Sequence, residues 1–118
     1  MVVEVRSVLT VGAFLGTLPT FVEQFRSISL EKLEAFIQLA RMASSVGDEV
    51  PKALRAFAEC PGFLASLATL LQKGTPIPVR VRFEILWTIC NIASGPSVYV
   101  DLVQVALIRR LRRPASYR

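Results

Sequence analysis

Apolar residues recur every three to four positions along most of the chain, which is the spacing of one face of an α-helix. From residue 29 to 45, for example, Leu30, Leu33, Ile37 and Ala40 follow this spacing. Glycine and proline interrupt the pattern at regular intervals, as expected where helices end. No segment sustains the alternation of apolar and polar residues that is typical of a strand. The pattern predicts an all-α fold with helices over residues 19–25, 29–45, 48–60, 63–72, 79–94 and 97–112.

The chain also contains an internal repeat. The segment LEAFIQLARMASS, residues 33–45, aligns with FEILWTICNIASG, residues 83–95. Glu34 aligns with Glu84 and Ser44 with Ser94, and large apolar residues align at several other positions. Short helices joined by tight turns fit either a small helical bundle or a helical solenoid. The repeat favours the solenoid, because self-similarity at a fixed period is the signature of stacked repeats.

One face of the long helix 79–94 is polar, whereas the rest is apolar and is expected to be buried. Its residues are three or four positions apart and therefore share this face: Arg80, Glu84, Trp87, Asn91 and Ser94. A tryptophan beside an asparagine at a partly wet surface suits ligand recognition. The alternative is that Trp87 fills the core and that Asn91 bonds a neighbouring helix end.

The segment FEILWTICNIASG resembles the third helix of an armadillo repeat in the importin-alpha (karyopherin-alpha) family, whose pattern is F-E-x-x-W-x-x-x-N-I-A-S-G. Upstream, LPTFVEQFRS and EKLEAFIQLARMAS resemble the first repeat of that family. The segment EVPKALRAFAECPGFLASLATLLQKG resembles the two helices that follow. The resemblance covers residues 18–95.

The resemblance implies an armadillo-type helical solenoid of about two repeats, in a single domain over residues 1–118. The parts would be an apolar N-terminal segment (1–17), a partial first repeat (18–47), a full repeat (48–95), a partial third repeat (96–113) and a basic tail (114–118). The apolar stretch 8–18 follows Arg6 and also fits the core of a secretory signal, which stays open as an alternative.

The resemblance further implies a peptide-binding groove. In the family, asparagine amides of successive third helices bond the backbone of an extended basic nuclear localisation peptide, and tryptophan indoles hold its Lys or Arg stems. These roles would fall on Trp87 and Asn91. Glu84, Ser94 and Gly95 would lie nearby, and Arg41 would occupy the position where later repeats have asparagine.

We therefore expect an importin-alpha-like adaptor that acts in nuclear protein import, in the cytoplasm and nucleus. Its partners would be the basic linear peptide of a cargo protein and other transport factors, and neither nucleic acid nor a membrane is expected. The alternative is an armadillo-type protein–protein interaction module, or a truncated fragment, with no transport activity.

The amino-acid composition excludes several other classes of protein and of functional site. Hydrophobic residues make up 53% of the chain and charged residues 19%, which excludes a disordered chain. The chain has no histidine, which excludes a histidine metal site or a Ser-His-Asp triad, and it has no glycine-rich phosphate loop. We expect no enzymatic activity, no metal and no cofactor. Glu31 and Glu34 share a helix face with Gln38, which suggests a solvated surface rather than a catalytic pair.

Charge and cysteine content add two expectations. The net charge of +5 arises entirely in the last ten residues, so the body of the chain is neutral, unlike the acidic groove that a basic peptide favours. Cys60 and Cys90 are expected to be structural, with Cys90 packed as a small apolar residue. Two repeats would leave both ends of a solenoid open, which predicts self-association or marginal stability.

Overall fold

The computed structural model describes residues 10–111, and these fold into helices joined by short turns, with no strand in that part of the chain. The elements are α1 (Val11–Leu15), α2 (Leu18–Gln24), α3 (Leu30–Ala43), α4 (Val50–Glu59), α5 (Phe63–Leu70), α6 (Val79–Ala93) and α7 (Ser97–Leu111). The all-α prediction is confirmed. The basic tail and residues 1–9 of the apolar N-terminal segment lie outside the described residues.

Local sequence explains where the main helices begin. Ser29 precedes α3, and its hydroxyl accepts a hydrogen bond from the backbone N–H of Lys32 at 3.2 Å, which satisfies one free amide of the first turn. Pro51 stands in the first turn of α4, where its missing N–H is not needed. Gly62 separates α4 from α5 with a φ of +84°, a conformation that favours glycine.

Helices pack on the helix that lies three elements later along the chain. Thus α1 contacts α4, α2 contacts α5, α3 contacts α6, and α4 contacts α7. Nearer neighbours also pack together: α7 contacts α5 as extensively as α3 contacts α6, and further contacts join α4 to α5 and α6, and α6 to α5 and α7. Since α3 and α6 carry the two copies of the internal sequence repeat, the repeated segments are direct neighbours in the structure.

A cluster of phenylalanine rings forms the centre of the core. The rings of Phe21 and Phe36 are stacked with centroids 4.0 Å apart, and those of Phe57 and Phe63 are stacked at 5.1 Å. Phe14 of α1 is buried and packs against Phe36 at 5.0 Å and against Phe57 edge-on at 6.4 Å. Aromatic pairs of this kind stabilise beyond the area they bury. Phe14 of the apolar N-terminal segment therefore belongs to the core, and Val11 and Leu15 pack against it.

The expectation that most of the apolar surface of α6 is buried holds on one side of the helix only, where Val81, Ile85, Ile89 and Ile92 are buried. Val79, Phe83 and Leu86 are 80%, 60% and 47% exposed, respectively. Cys90 is also exposed, so it is not packed in the core as predicted. Helical spacing places these residues along one side of α6, where no other helix of the described chain covers them.

Among residues 10–111, no helix has both the length and the apolar character needed to cross a membrane.

Candidate functional site

Polar side chains join α3 to α6 in three cross-helix pairs, which we call the α3–α6 ladder. The pairs are Glu34 with Arg80, Arg41 with Glu84, and Ser44 with Asn91. Residue numbers rise together along the two helices, so α3 and α6 run parallel. Part of the polar face predicted on α6 therefore packs against α3 and is not available to solvent or to a ligand.

The first pair of the ladder is a bidentate ion pair. Arg80 donates from Nε to Glu34 Oε2 at 2.8 Å and from Nη2 to Glu34 Oε1 at 3.0 Å. These hydrogen bonds lower the pKa of the Glu34 carboxyl and raise the pKa of the Arg80 guanidinium from their usual values. Glu31 and Gln38 of the face predicted to be solvated are exposed, and Glu34 on that face is paired with Arg80 at the surface.

The second pair places a guanidinium on an indole. Arg41 donates from Nε to Glu84 Oε1 at 2.5 Å, and its guanidinium carbon lies 4.5 Å from the centroid of the Trp87 ring. This distance is within the range of a cation–π contact. Phe83 packs edge-on against the indole, with centroids 5.8 Å apart. Trp87 therefore presents an exposed aromatic surface that already holds one cationic side chain.

The third pair lies at the carboxyl ends of both helices. Asn91 Nδ2 donates to Ser44 Oγ at 3.0 Å, and Ser44 Oγ donates in turn to the backbone carbonyl of Arg41 at 2.8 Å. The Ser94 hydroxyl donates to the backbone carbonyl of Asn91 at 2.7 Å. Asn91 is half-buried, and one of its amide hydrogens is used to join the helices.

The six residues predicted to bind peptide are placed differently by the fold. Arg41, Glu84, Trp87 and Asn91 lie together on the ladder. Ser94 is exposed beyond the end of α6 and bonds its own helix. Gly95 is a packing position: a Cβ there would lie 3.1 Å from Tyr99 Cδ2, so glycine lets α7 approach the end of α6 closely.

Two ladder residues, Glu34 and Ser44, were not predicted as partners of the polar face of α6. The internal repeat does not show these pairs, because Glu34 aligns with Glu84 but accepts from Arg80, and Ser44 aligns with Ser94 but accepts from Asn91. The pairing depends on how the two copies pack, which the alignment alone does not give.

An open apolar surface borders the ladder on α6. It is lined by Phe83, Leu86, Trp87 and Cys90. Trp87 belongs to both regions, since Arg41 lies over its ring and Phe83 packs at its edge. Hydrogen-bonding groups of the ladder and an aromatic surface therefore lie side by side on α6.

The described residues were also searched for clusters of metal-ligating side chains. Within residues 10–111, no group of three or more His, Cys, Asp or Glu side chains could hold a metal ion. Comparisons of the chain with protein-family models, with curated proteins and with solved structures found no match. The geometry of the ladder and its neighbouring aromatic surface is thus the basis for a functional assignment.

Proposed function

We propose that the chain is an armadillo-type helical stack that binds an extended basic peptide along the α3–α6 ladder and serves as an importin-alpha-like adaptor. The observation that carries the proposal is the placement of Trp87 and Asn91 one turn apart on a partly exposed face of α6. The resemblance of residues 83–95 to the third helix of an importin-alpha repeat supports the proposal, because the family uses tryptophan and asparagine at these positions to bind peptide.

The packing of the helices supports the armadillo assignment. The first four helices each contact the helix three elements later, as stacked units of three helices would. The two segments that resemble third helices, α3 and α6, lie side by side and parallel. In the family, such neighbouring third helices line the binding surface, so the ladder is where a peptide would lie.

The chemistry of Trp87 suits a basic side chain. Its indole accepts the Arg41 guanidinium at 4.5 Å, so the ring is oriented to attract a cation. The aliphatic stem of a Lys or Arg ligand would pack on the adjoining apolar surface at Phe83.

Asn91 suits a peptide backbone. A side-chain amide has one carbonyl oxygen and two N–H donors, which match the groups of a peptide unit. One N–H bonds Ser44, and among the described residues the carbonyl oxygen accepts no hydrogen bond. That oxygen can accept a backbone N–H of the ligand.

The charges of the ladder set the strength of binding. Glu34 is paired with Arg80 and Glu84 with Arg41, so each acidic group already has a basic partner. A cationic ligand side chain must compete with Arg41 for both Glu84 and the indole. We therefore expect weak binding that strengthens when Arg41 is removed.

The same charge balance favours a second function, an armadillo-type interaction module without a transport role. A neutral ladder gives no long-range attraction to a basic peptide, whereas an uncharged extended segment can still bond Asn91 and pack on Trp87. In this case binding would not depend on lysine or arginine in the ligand, nor on salt.

The experiment is a titration of a fluorescently labelled Lys-rich peptide, with an uncharged peptide of equal length beside it, into the full chain at low and moderate salt. Asn91→Ala is expected to weaken binding of the Lys-rich peptide by about 1–3 kcal/mol through the lost backbone hydrogen bond. Gln104→Ala, at an exposed amide on α7, is the matched control and should bind as the wild type does. Equal binding of the two peptides would favour the interaction module. Equal binding of the Lys-rich peptide by wild type and Asn91→Ala would contradict the proposed groove.

A further inference from the structure

A groove of about 290 Å³ lies between α7 and the turn that joins α4 to α5, and we call it the α5–α7 groove. On the α7 side it is lined by Leu102 and Val105, which are 40% and 51% exposed. On the other side it is lined by residues of the turn and of the first turn of α5, among them Cys60 and Leu64. The groove shares no residue with the α3–α6 ladder or with the apolar surface of α6.

Two adjacent arginines, Arg109 and Arg110, also line the α5–α7 groove. Among residues 10–111, no carboxylate forms an ion pair with either of them. The Nε atom of Arg110 is buried and has no hydrogen-bond partner in that part of the chain. A buried donor without an acceptor destabilises the fold, and a guanidinium can donate two parallel hydrogen bonds to a carboxylate. The groove therefore offers an anionic group hydrogen bonds that no described residue accepts.

An acidic residue, Glu59, lines the α5–α7 groove as well. Its carboxylate accepts a hydrogen bond of 3.2 Å from Nε of Arg55, one turn earlier on α4. The negative charge of Glu59 is thus offset by a neighbouring cation. The charge that remains for a ligand in the groove is the positive charge of the two arginines on α7.

We propose that the α5–α7 groove binds a small amphiphilic anion, a free medium-chain carboxylate. Its carboxylate bonds Arg109 and Arg110, and its alkyl chain lies along Val105 and Leu102. Leu102 and Arg109 are seven residues apart, which is about 10 Å along a helix. An extended chain of about eight carbons has a similar length, since a C–C bond is about 1.5 Å long. Burial of the chain favours binding and the guanidiniums select for charge, as in other small-molecule sites. The proposal does not depend on peptide binding.

Alkylation of Cys60 by iodoacetamide, an uncharged reagent, tests the groove in the full chain without a mutation. Octanoate should slow the reaction at Cys60 at least severalfold, because the bound alkyl chain covers the thiol. Cys90 is exposed on α6, outside the groove, so its rate should stay constant and serves as an internal control. Octanol has the same chain without the charge, and acetate has the charge without the chain. Neither should protect Cys60 at the same concentration.

Two valines on α7 with similar exposure provide a matched pair of variants. Val105 lines the groove and is 51% exposed, whereas Val98 does not line it and is 56% exposed. Val105→Asp places a carboxylate in the groove, so octanoate should no longer protect Cys60, whereas Val98→Asp should be protected as the wild type is.

A pair of arginines tests the charge requirement. Arg109→Gln should raise the octanoate concentration for half protection of Cys60 by about tenfold, as expected for the loss of a charge-assisted hydrogen bond. Arg26→Gln removes an exposed arginine between α2 and α3 and should leave that concentration unchanged.

Several outcomes would overturn the proposal. One is the absence of any protection of Cys60 by octanoate, and another is equal protection by octanol, which would show that charge plays no part. Folded Val105→Asp that is protected like the wild type would also contradict it. Equal slowing at Cys90 would indicate nonspecific association instead of a site. Protection by vesicles of an anionic phospholipid, with no effect of free octanoate, would assign the groove to a membrane surface and not to a small carboxylate.

Discussion

The guanidinium carbon of Arg41, on α3, lies 4.5 Å from the centre of the Trp87 indole on α6. Glu84 holds the guanidinium in place, since its carboxylate accepts a hydrogen bond from Arg41 Nε. Three side chains from two helices thus form one unit in which an acid positions a cation on an aromatic ring. This unit lies at the middle of the proposed peptide-binding surface, so its properties can be measured in the absence of any ligand.

Removing the guanidinium should expose the indole. Trp87 is the single tryptophan of the chain, so intrinsic fluorescence reports on it alone. Arg41→Ala should shift the emission to longer wavelength and increase quenching by acrylamide. The lost contact should also lower the free energy of unfolding by about 0.5–2 kcal/mol. Arg55→Ala, which removes an exposed arginine paired with Glu59 on α4, should leave the emission unchanged. Identical quenching of Arg41→Ala and wild type would argue against the stacked geometry.

Alanine substitutions at two glycines with similar positive φ angles distinguish the cost of backbone strain from the cost of steric crowding. Gly62 and Gly74 have φ values of +84° and +93°, where a side chain strains the backbone by about 1–2 kcal/mol. A Cβ at Gly62 would also lie 2.9 Å from Val22 Cγ1, whereas one at Gly74 would meet nothing within 4 Å. Gly62→Ala should therefore destabilise the protein by about 1–3 kcal/mol more than Gly74→Ala. Urea unfolding of both variants measures the difference. Equal decreases in the free energy of unfolding would show that the Val22 side chain on α2 can move aside at no cost.

A pair of leucines tests where the core lies. Leu67 on α5 is fully buried and Leu30 at the start of α3 is 42% exposed. Leu67→Ala should lower the free energy of unfolding by about 2–5 kcal/mol, because it removes apolar contacts and leaves a cavity. Leu30→Ala makes the same chemical change and should lower it by about 1 kcal/mol or less. Thermal unfolding followed by circular dichroism gives both values, and similar losses would be inconsistent with the described packing.

The Glu34–Arg80 pair should contribute to stability in a pH-dependent way. The pKa of Glu34 is lower in the folded protein than its usual value, because the ionised carboxylate accepts two hydrogen bonds from Arg80. Its contribution is therefore complete above the usual carboxyl pKa and is lost as the pH falls through the lowered folded-state value. Glu34→Gln should be less stable than wild type near neutral pH, and the two should converge in acid. Glu31→Gln, at an exposed neighbouring position, is the control. A difference that persists undiminished in strong acid would exclude the ion pair as its cause.

Helical periodicity and turn residues were sufficient to predict the main helices of the described chain. The six predicted helices all exist, with ends within two residues of the observed ones, since capping and helix-breaking residues act locally. The helix α1 was missed because five residues are too few to show a period. Its apolar residues were treated as part of an N-terminal segment, yet Phe14 packs within the phenylalanine cluster.

The candidate site was harder to predict, because a sequence pattern does not state how many neighbours a helix has. Spacing placed Arg80, Glu84, Trp87 and Asn91 on one face of α6, but only the packing of α3 shows that all four have partners there. The exposure of Cys90 and its neighbours follows from the same cause. An apolar pattern indicates that a helix face would be more stable if it were buried. Whether that face is buried depends on whether another helix covers it.

The parallel arrangement of α3 and α6 has an electrostatic consequence. Each helix carries a macrodipole that is equivalent to roughly half a negative elementary charge at its carboxyl end. The hydrogen bond between Ser44 and Asn91 holds the two carboxyl ends side by side, so the two partial charges add, whereas an antiparallel pair would cancel them. The backbone itself thus makes the edge near Asn91 attractive to a cation. Unlike the charge of the Glu34 carboxylate, this attraction does not titrate, and it persists at every pH at which the helices remain folded.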